Sequence, residues 1–293
     1  MKTWALVTLF FPTQDQIHNI ELLCAQCDKV ILCDNTPGKD NHALFESLPA
    51  DKITYRASKK NLGLSRAFNQ ELKDQSHGFS DEDFIIFFDQ DSTINENHIK
   101  SLENIFLELE EKNEKPGAVV PVTEKGARLV NSQTLNPQPL PVKNCYSVLH
   151  CITSSMLTRY SILREIGFWN EEFFLDQADH EFSFRMLDYG YKIAQSEDIF
   201  LNHKIGNGLM HRHILHHIET FAVNAPIRDY YIIRDGLKLL RLKYTPKGFR
   251  KYLRKMIFHE PVDHLVYLPK RIRRLYYILR GHVDFMANKS TEI

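Results

Sequence analysis

The chain opens with short apolar runs separated by stretches of helical periodicity. Trp4–Phe11 predicts a strand. Gln16–Cys27 predicts a helix, with Ile17, Ile20, Leu23 and Cys24 on one face. Lys29–Cys33 predicts a second strand, closed by the turn signal Asp34-Asn35-Thr36-Pro37-Gly38. A short helix over Asn41–Ser47, a strand over Lys52–Ala57 and a helix over Ser65–Leu72 follow. Asp83–Phe88 is a fully apolar strand. Ile94–Lys112 predicts a long helix with Ile99, Leu102, Ile105, Phe106 and Leu109 inward, and Ala118–Pro121 a further strand. Alternation of this kind implies an α/β fold, a mostly parallel sheet flanked by helices. Such sheets bind ligands beyond the carboxyl ends of their strands.

Periodicity lapses over residues 122–145, which contain Pro137, Pro139 and Pro141. That stretch reads as a loop or irregular hairpin before a strand over Tyr146–Thr153. Ser161–Ile166 and Gln177–Tyr189 read as helices. In the last quarter, Lys247–Phe258 places Phe249, Tyr252, Leu253, Met256 and Ile257 on one stripe, with Lys247, Arg250, Lys251, Arg254 and Lys255 opposite. After Pro269 a second basic amphipathic stretch runs to Arg280. Its residues Ile272, Leu275, Tyr276 and Leu279 are expected to point inward.

The 293 residues hold 37 basic and 37 acidic side chains, a formal net charge of zero. That excludes a wholly basic nucleic-acid binder and an acidic disordered chain. The balance conceals an asymmetry. Residues 1–225 carry 21 basic and 31 acidic side chains, net −10, while 226–293 carry 16 and 6, net +10. Two regions are therefore expected, a catalytic domain over 1–225 and a basic helical extension over 226–293 packed upon it. The extension reads either as helices with solvated basic faces or as a dock for an anionic membrane leaflet. No apolar run approaches the ~18–20 residues of a membrane span. Ala5–Phe11 lacks a following small-residue cleavage site and reads as a buried strand, not a signal peptide. Five cysteines suit a reducing cytosol better than a disulfide framework. Cys24, Cys27 and Cys33 read as packing.

Candidate chemistry gathers where strands end. Phe84–Phe88 runs into Asp89-Gln90-Asp91. In extended backbone these carboxylates would point the same way, roughly 7 Å apart at Cα. Both could then meet one hard cation, Mg²⁺ or Mn²⁺, whose shell water and phosphate complete. Asp34 closes the second strand, suited to a base imide or ribose hydroxyl, or to an Asx turn. Asn61-Leu62-Gly63 leads into a helix whose start favours an anion, and Asn69 lies one turn after Ser65 on the same face. Asp176, Asp179 and Glu181 stand at a helix start among Phe173, Phe174 and Phe182. Acids there stabilise the helix dipole, and a partly buried one suits a general base. His213 and His217 would share a face at helical spacing, but without the intervening Glu of a zinc-protease motif. That segment reads better as a loop over the ligand pocket.

This ordered set resembles glycosyltransferase family 2, of the GT-A fold, and in particular its bacterial rhamnosyltransferases. The resemblance spans residues 3–240: the first strand with Pro12, Asp34-Asn35, Asn61-x-Gly63 through Asn69, and Phe87-Phe88-Asp89-Gln90-Asp91-Ser92. It continues through Gly167-Phe168, Glu171, Phe173-Phe174, Asp176, Asp179, Glu181, Arg185, Gly190–Ile193, His203 with Gly206, and Arg228 to Arg234. It implies an inverting, metal-dependent sugar transfer. Leu9, Phe10, Phe11, Asp34, Asn61, Gly63, Asn69 and Asp89 would then hold the nucleotide. Asp89, Asp91 and His203 would serve the metal, and Asp179 would be the base. Trp169, Asp176 and Glu181 would meet donor or acceptor sugar, and Arg234 the diphosphate. The Asp-Gln-Asp-Ser variant tilts the donor toward dTDP-rhamnose, and a membrane-docked basic extension would suit a lipid-linked saccharide of surface polysaccharide synthesis as acceptor. Such an enzyme would be cytoplasmic, held peripherally at the inner membrane face. A UDP-hexose donor is the near alternative. A sugar-nucleotide nucleotidyltransferase would want a Gly-rich basic loop after the first strand, and a non-catalytic binding module would not keep three acidic sites. The chain departs from the family at Phe11, where Asn often precedes Pro12, at Thr153-Ser154-Ser155, where Gly is common, and at Asp235, where Asn is common.

Overall fold

β1 (Thr3–Leu9) forms the middle of a parallel block because it offers water no polar face: Ala5, Leu6 and Leu9 are fully buried. The computed structural model describes residues 1–123, 137–202, 209–214 and 217–289. The chain divides into two units, Met1–Glu171 with Ala178–His203, and Glu172–Gln177 with Lys204–Ile293.

In the first unit, α1 (Ile17–Gln26) leads into β2 (Lys29–Asp34), parallel to β1 with Leu9 opposite Asp34. β3 (Ile53–Ala57) lies parallel beyond β2. After α2 (Gly63–Leu72), β4 (Phe84–Asp89) takes the other side of β1, again parallel, with Thr8 opposite Asp89. Phe84–Phe88 are at most 1% exposed, the continuous apolar run of a strand covered on both faces. α3 (His98–Glu111) buries Ile99, Leu102, Phe106 and Leu109 as expected. It starts four residues later than its pattern, because Thr93 pairs with Asn202 and Asn97 adopts a left-handed conformation.

Beyond β4 the sheet becomes mixed. β5 (Pro116–Val122), β6 (Gln138–Pro139), β7 (Cys145–Val148), β8 (Met156–Arg159) and β9 (Lys192–Phe200) complete the order β3-β2-β1-β4-β8-β5-β9-β7-β6. β8 pairs antiparallel with β4 and β5, and β9 runs parallel to β5. The strand expected over Tyr146–Thr153 ends at Val148, and residues 149–155 form a connection leading into β8. α4 (Tyr160–Ile166) and α5 (Ala178–Asp188) match their expected helices within a residue. The five cysteines are free and buried, and burial pushes Cys24 up to about 11 and Cys145 up to about 12. They are packing groups, not reactive thiols.

In the second unit, β10 (Leu209–Ile214) and β11 (His217–Ala222) form an antiparallel hairpin. His213 and His217 therefore lie on opposite strands, in register with Ile218 and Ile214, and do not share the helical face their spacing allowed. α6 (Ile227–Arg241), α7 (Lys247–Phe258), α8 (Glu260–Tyr267) and α9 (Arg271–Met286) follow. α7 turns as its pattern predicts: Phe249, Leu253, Met256 and Ile257 are buried. α9 does not. Ile272, Leu275, Tyr276 and Leu279, expected inward, are 87%, 45%, 51% and 58% exposed. Its buried face carries Arg274, Gly281, Asp284 and Phe285 instead. Among the described residues no helix is long and apolar enough to cross a membrane.

Candidate active site

Three strands of the parallel block end at one edge, and side chains tie their exit loops together. Phe11 N–H donates to Thr36 Oγ1 at 2.8 Å, linking the loops after β1 and β2. Phe10 N–H donates to Gln90 Oε1 at 2.8 Å, and Gln90 Nε2 returns to the Phe10 carbonyl at 3.2 Å, linking the loops after β1 and β4. Thr8 Oγ1 lies 3.4 Å from Asp89 Oδ1. Leu9 is buried, whereas Phe10 and Phe11 are about half exposed, edge to face at 4.7 Å. Phe11 holds a left-handed backbone (φ 48°) immediately before Pro12, a strained state for a bulky residue. Its anchored amide and the Lys39 ammonium 5.6 Å over its ring keep it there. The result is a presented aromatic surface at the sheet's carboxyl edge.

Asp34 is 1% exposed. Its Oδ1 accepts from Thr36 N–H at 2.9 Å, an Asx turn, and its Oδ2 accepts from the Tyr55 hydroxyl at 2.6 Å and Asn41 Nδ2 at 2.8 Å. Burial, then the Asp34 bond, pushes the Tyr55 hydroxyl pKa up, so it stays a donor. Asn35 Nδ2 donates to the Gly63 carbonyl, and Gly63 N–H to Asn61 Oδ1. The turn opening α2 is thus pinned to the end of β2. Gly63 has φ 72°, which its missing side chain allows.

The carboxylate pair differs from the expectation in one respect. β4 stops at Asp89, and residues 89–92 form a turn in which Ser92 N–H reaches the Asp89 carbonyl at 3.3 Å. The orientation of Asp91 is therefore set by the turn, not by strand alternation. Ser154 holds that turn: its hydroxyl accepts from Asp89 N–H at 3.3 Å and lies 2.6 Å from Ser92 Oγ. Ser155 has a left-handed backbone, φ 63°. Its hydroxyl bonds His98 Nε2 at 2.7 Å and its amide the Phe87 carbonyl at 2.6 Å. Burial lowers His98 to about 4, so a neutral ring performs this role. Among the described residues no three His, Cys, Asp or Glu side chains group to hold a metal. Asp89 and Asp91 are half-buried oxygen donors, which suits a cation that takes its remaining ligands from water and phosphate. The expected third ligand, His203, lies outside the described residues.

Asn69 is 2% exposed and grips the Trp169 segment. Its Nδ2 donates to the Trp169 carbonyl and Glu171 Oε1, each at 2.8 Å, and its Oδ1 accepts from Trp169 N–H at 3.0 Å. Trp169 stacks on Phe182 at 4.2 Å and 16°, with Nε1 buried and without a hydrogen-bond partner. Glu181, also expected at the sugar, is 1% exposed and takes both oxygens to Arg185 at 2.9 and 3.0 Å. Arg185 donates on to the Phe168 carbonyl at 2.7 Å. Both residues shape the wall that carries Trp169.

Asp179 sits in the first turn of α5 with its side chain 30% exposed. Its Oδ1 accepts from His180 N–H at 2.8 Å and lies 3.5 Å from His180 Nδ1. The His180 ring meets His150 edge-on at 4.6 Å. Burial, then the neighbouring His180, lowers His150 to about 3, and burial lowers His180 to about 4. Both imidazoles are neutral near pH 7, so neither supplies a fixed cation beside the carboxylate. The sequence singles out none of His98, His150 and His180, and Gln90, Thr36 and Ser154 stand in it only within a motif, a turn signal and a departure from the family. Gln90 carries a signal in its place between two aspartates.

In the second unit, Asp176 pairs with Arg228 at 2.6 Å. Arg234 is 1% exposed and pairs with Asp235 at 2.6 Å, its guanidinium over the Tyr230 and Tyr231 rings at 5.0 and 5.1 Å. Burial pushes Asp235 up to about 7, against the pull of Arg234. Tyr231 stacks on Phe174 at 4.7 Å.

The parallel strands end at an edge that carries two half-buried carboxylates and an exposed aromatic pair, where open α/β sheets take their ligands. Residues 18–167, just over half of the chain, match Glycosyl transferase family 2, and the chain belongs to that family. It is 24% identical to the dTDP-rhamnosyl transferase RfbF of Shigella flexneri over 264 residues, covering 83% of this chain and 81% of the relative. Its fold is similar to S. aureus TarS (TM-score 0.56, 14% identity), covering 98% of this chain and 49% of that one. The chain thus spans about half the length of that TarS chain. It is similar too to TarS 1-349 in complex with UDP-GlcNAc (TM-score 0.54, 13% identity, 98% and 81% covered). GalNAc-T7 with UDP, GalNAc and Mn²⁺ aligns at TM-score 0.53 and 10% identity, over 92% of this chain and 58% of that one. These likenesses identify the GT-A fold, and family membership makes the protein a glycosyltransferase.

Proposed function

We propose that the protein is an inverting rhamnosyltransferase that moves L-rhamnose from dTDP-rhamnose to a lipid-linked saccharide. The observation that carries this reading is the hydrogen-bonded set of strand ends presenting Phe10, Phe11, Asp89 and Asp91. It occurs in a family 2 chain with a dTDP-rhamnosyl transferase relative over four-fifths of its length. Leu9–Phe11, Asp34, Asn61, Gly63 and Asp89 form the nucleoside side. Asn69 acts there by holding the Trp169 segment in place, and Trp169 would line the sugar side. By the family resemblance, Asp176 and Glu181 would serve the sugar and Arg234 the diphosphate. Residues 1–225 carry catalysis and 226–293 are the basic helical extension, which faces the anionic inner leaflet of a cytoplasmic, peripherally bound enzyme.

Asp89 and Asp91, with His203, would hold Mg²⁺ or Mn²⁺, which when bound offsets the charge of the donor diphosphate. Asp179 takes the proton of the acceptor hydroxyl. That oxygen forms its bond to the anomeric carbon as the carbon–oxygen bond to the diphosphate breaks, releasing dTDP and inverting the configuration. His150 and His180, neutral near pH 7, place no cation of their own beside it.

A UDP-hexose donor is the second reading, favoured by the likeness to a TarS structure holding UDP-GlcNAc. Thermal shift against dTDP-rhamnose, dTDP-glucose, UDP-glucose and UDP-GlcNAc, each with Mn²⁺ or Mg²⁺, separates the two. Selective stabilisation by dTDP-rhamnose is expected. Stabilisation by UDP-sugars alone overturns the rhamnosyl assignment.

A further inference from the structure

Helix α9 is inside out for a helix in water. Its polar face is the packed one. Arg274, 1% exposed, donates to Asp229 Oδ2 at 2.7 Å and to the Asn224 carbonyl at 2.8 Å. Asp284, 1% exposed, accepts from the Tyr230 hydroxyl at 3.2 Å and Arg280 Nε at 2.7 Å. Between them Gly281 lets α9 press on α6: a Cβ there would lie 2.9 Å from the Tyr230 carbonyl oxygen. The apolar face is the open one. Ile272, Leu275, Tyr276, Leu279, Val283 and Met286 recur at helical spacing and are 45–87% exposed. Phe258, 51% exposed, adds its ring 6.4 Å from His282 on the same helix.

Burying charge while leaving an apolar stripe in water is the reverse of what folding in water favours. A stripe of this kind implies something that covers it. The charge around it indicates what. Lys270, Arg271 and Arg273 are exposed at the N-terminal end of the ridge, where residues Tyr267–Arg273 line an open, mainly apolar hollow of about 800 Å³. Lys247, Lys251, Arg254 and Lys255 are exposed on α7. The acids of the same stretch, Glu260, Asp263 and Asp284, are all half-buried or buried. An apolar ridge with a cationic border and, among the described residues of the stretch, no fully exposed acid fits an anionic bilayer surface.

We propose that α9 is an interfacial membrane helix, with the Ile272–Met286 ridge inserted among lipid chains and Lys270, Arg271 and Arg273 at anionic headgroups. This deepens the membrane-facing part of the reading above by making apolar insertion, and not basic side chains alone, the source of attachment. It does not depend on the donor.

The test is flotation of the full chain with phosphatidylcholine vesicles, with and without 30 mol% phosphatidylglycerol, beside its oligomeric state by light scattering. The wild type should float with the anionic vesicles. Leu275→Glu/Leu279→Glu should lose that binding at least tenfold, at low salt as well. Lys270→Glu/Arg273→Glu should lose the preference for phosphatidylglycerol. Both variants alter exposed side chains, and should keep the wild-type unfolding temperature and dTDP-rhamnose binding. Wild type that stays with neither vesicle, or a ridge variant that floats like wild type, overturns the proposal. So does a wild-type dimer that the ridge variant turns into a monomer while neither binds vesicles, because a second copy then covers the ridge. Vesicle binding without dTDP-rhamnose binding would instead count against the donor assignment and leave the docking helix standing.

Discussion

Asn69 allows the sharpest test of how the site is held, since the resemblance makes it a nucleotide ligand and the geometry makes it a clamp. Asn69→Ala removes its bonds to the Trp169 N–H, the Trp169 carbonyl and Glu171. The two Trp169 groups are buried, so each loses about 1 kcal/mol of net hydrogen bonding and adds a penalty for being left unpaired. Glu171 keeps Lys73 at 2.8 Å and is part-exposed, so its share is small. The sum is about 3 kcal/mol, a large part of the ~5–15 kcal/mol of a folded domain. Asn69→Asp should cost at least as much, because it keeps one acceptor but turns a carboxylate toward the Trp169 carbonyl and Glu171. Both tryptophans, Trp4 and Trp169, lie in the first unit. Intrinsic fluorescence during urea unfolding therefore reports the affected part. A loss below about 1 kcal/mol, together with a tenfold or greater loss of donor affinity, would refute the clamp and restore direct nucleotide contact.

Replacing Asp179 by Asn should lower kcat by about 10²–10⁴-fold while the donor Kd stays within about threefold; retained turnover would remove it as the base. Chelation with EDTA should abolish transfer, and added Mn²⁺ or Mg²⁺ should restore it in wild type but not in Asp89→Ala/Asp91→Ala; full activity in EDTA would exclude the metal role. His98, His150 and His180 have native pKa values of about 4, 3 and 4, below the ordinary 6.5, so the unfolded chain binds protons first as pH falls. Their stabilisation is complete above about pH 6.5 and declines toward pH 4, by up to about 3 kcal/mol for His98. An unfolding temperature that stays level from pH 7 to pH 4.5 would contradict it.

The parallel half of the sheet was legible because each of its strands declares itself locally. The run Phe84–Phe88 is apolar throughout, as a strand covered on both faces must be, and the polar residues at its end mark where the sheet meets water. The same logic located Asp34, Asp89 and Asp91 without any view of the fold. It overreached at Asp91, where strand alternation was carried one step into a turn that Ser154, 62 residues away from Ser92, holds in shape. Such partners carry no local pattern. Gln90 was read past because an amide between two carboxylates looks like a spacer until the Phe10 backbone is seen to bind both its ends.

By itself, the sequence determined the order of elements through β5 and the two amphipathic basic stretches, both of them local properties of periodicity and side-chain type. Tertiary structure decided the rest. The four-residue β8 lies between β4 and β5 because pairing partners, not propensity, place so short a strand. Asn69 became a clamp because the Trp169 backbone lies against it. The clearest case is α9. Periodicity showed that the helix has one apolar stripe, but not which side faces the protein. That was settled by Asp229 on α6, whose carboxylate makes burying Arg274 tolerable and so leaves the apolar stripe outside.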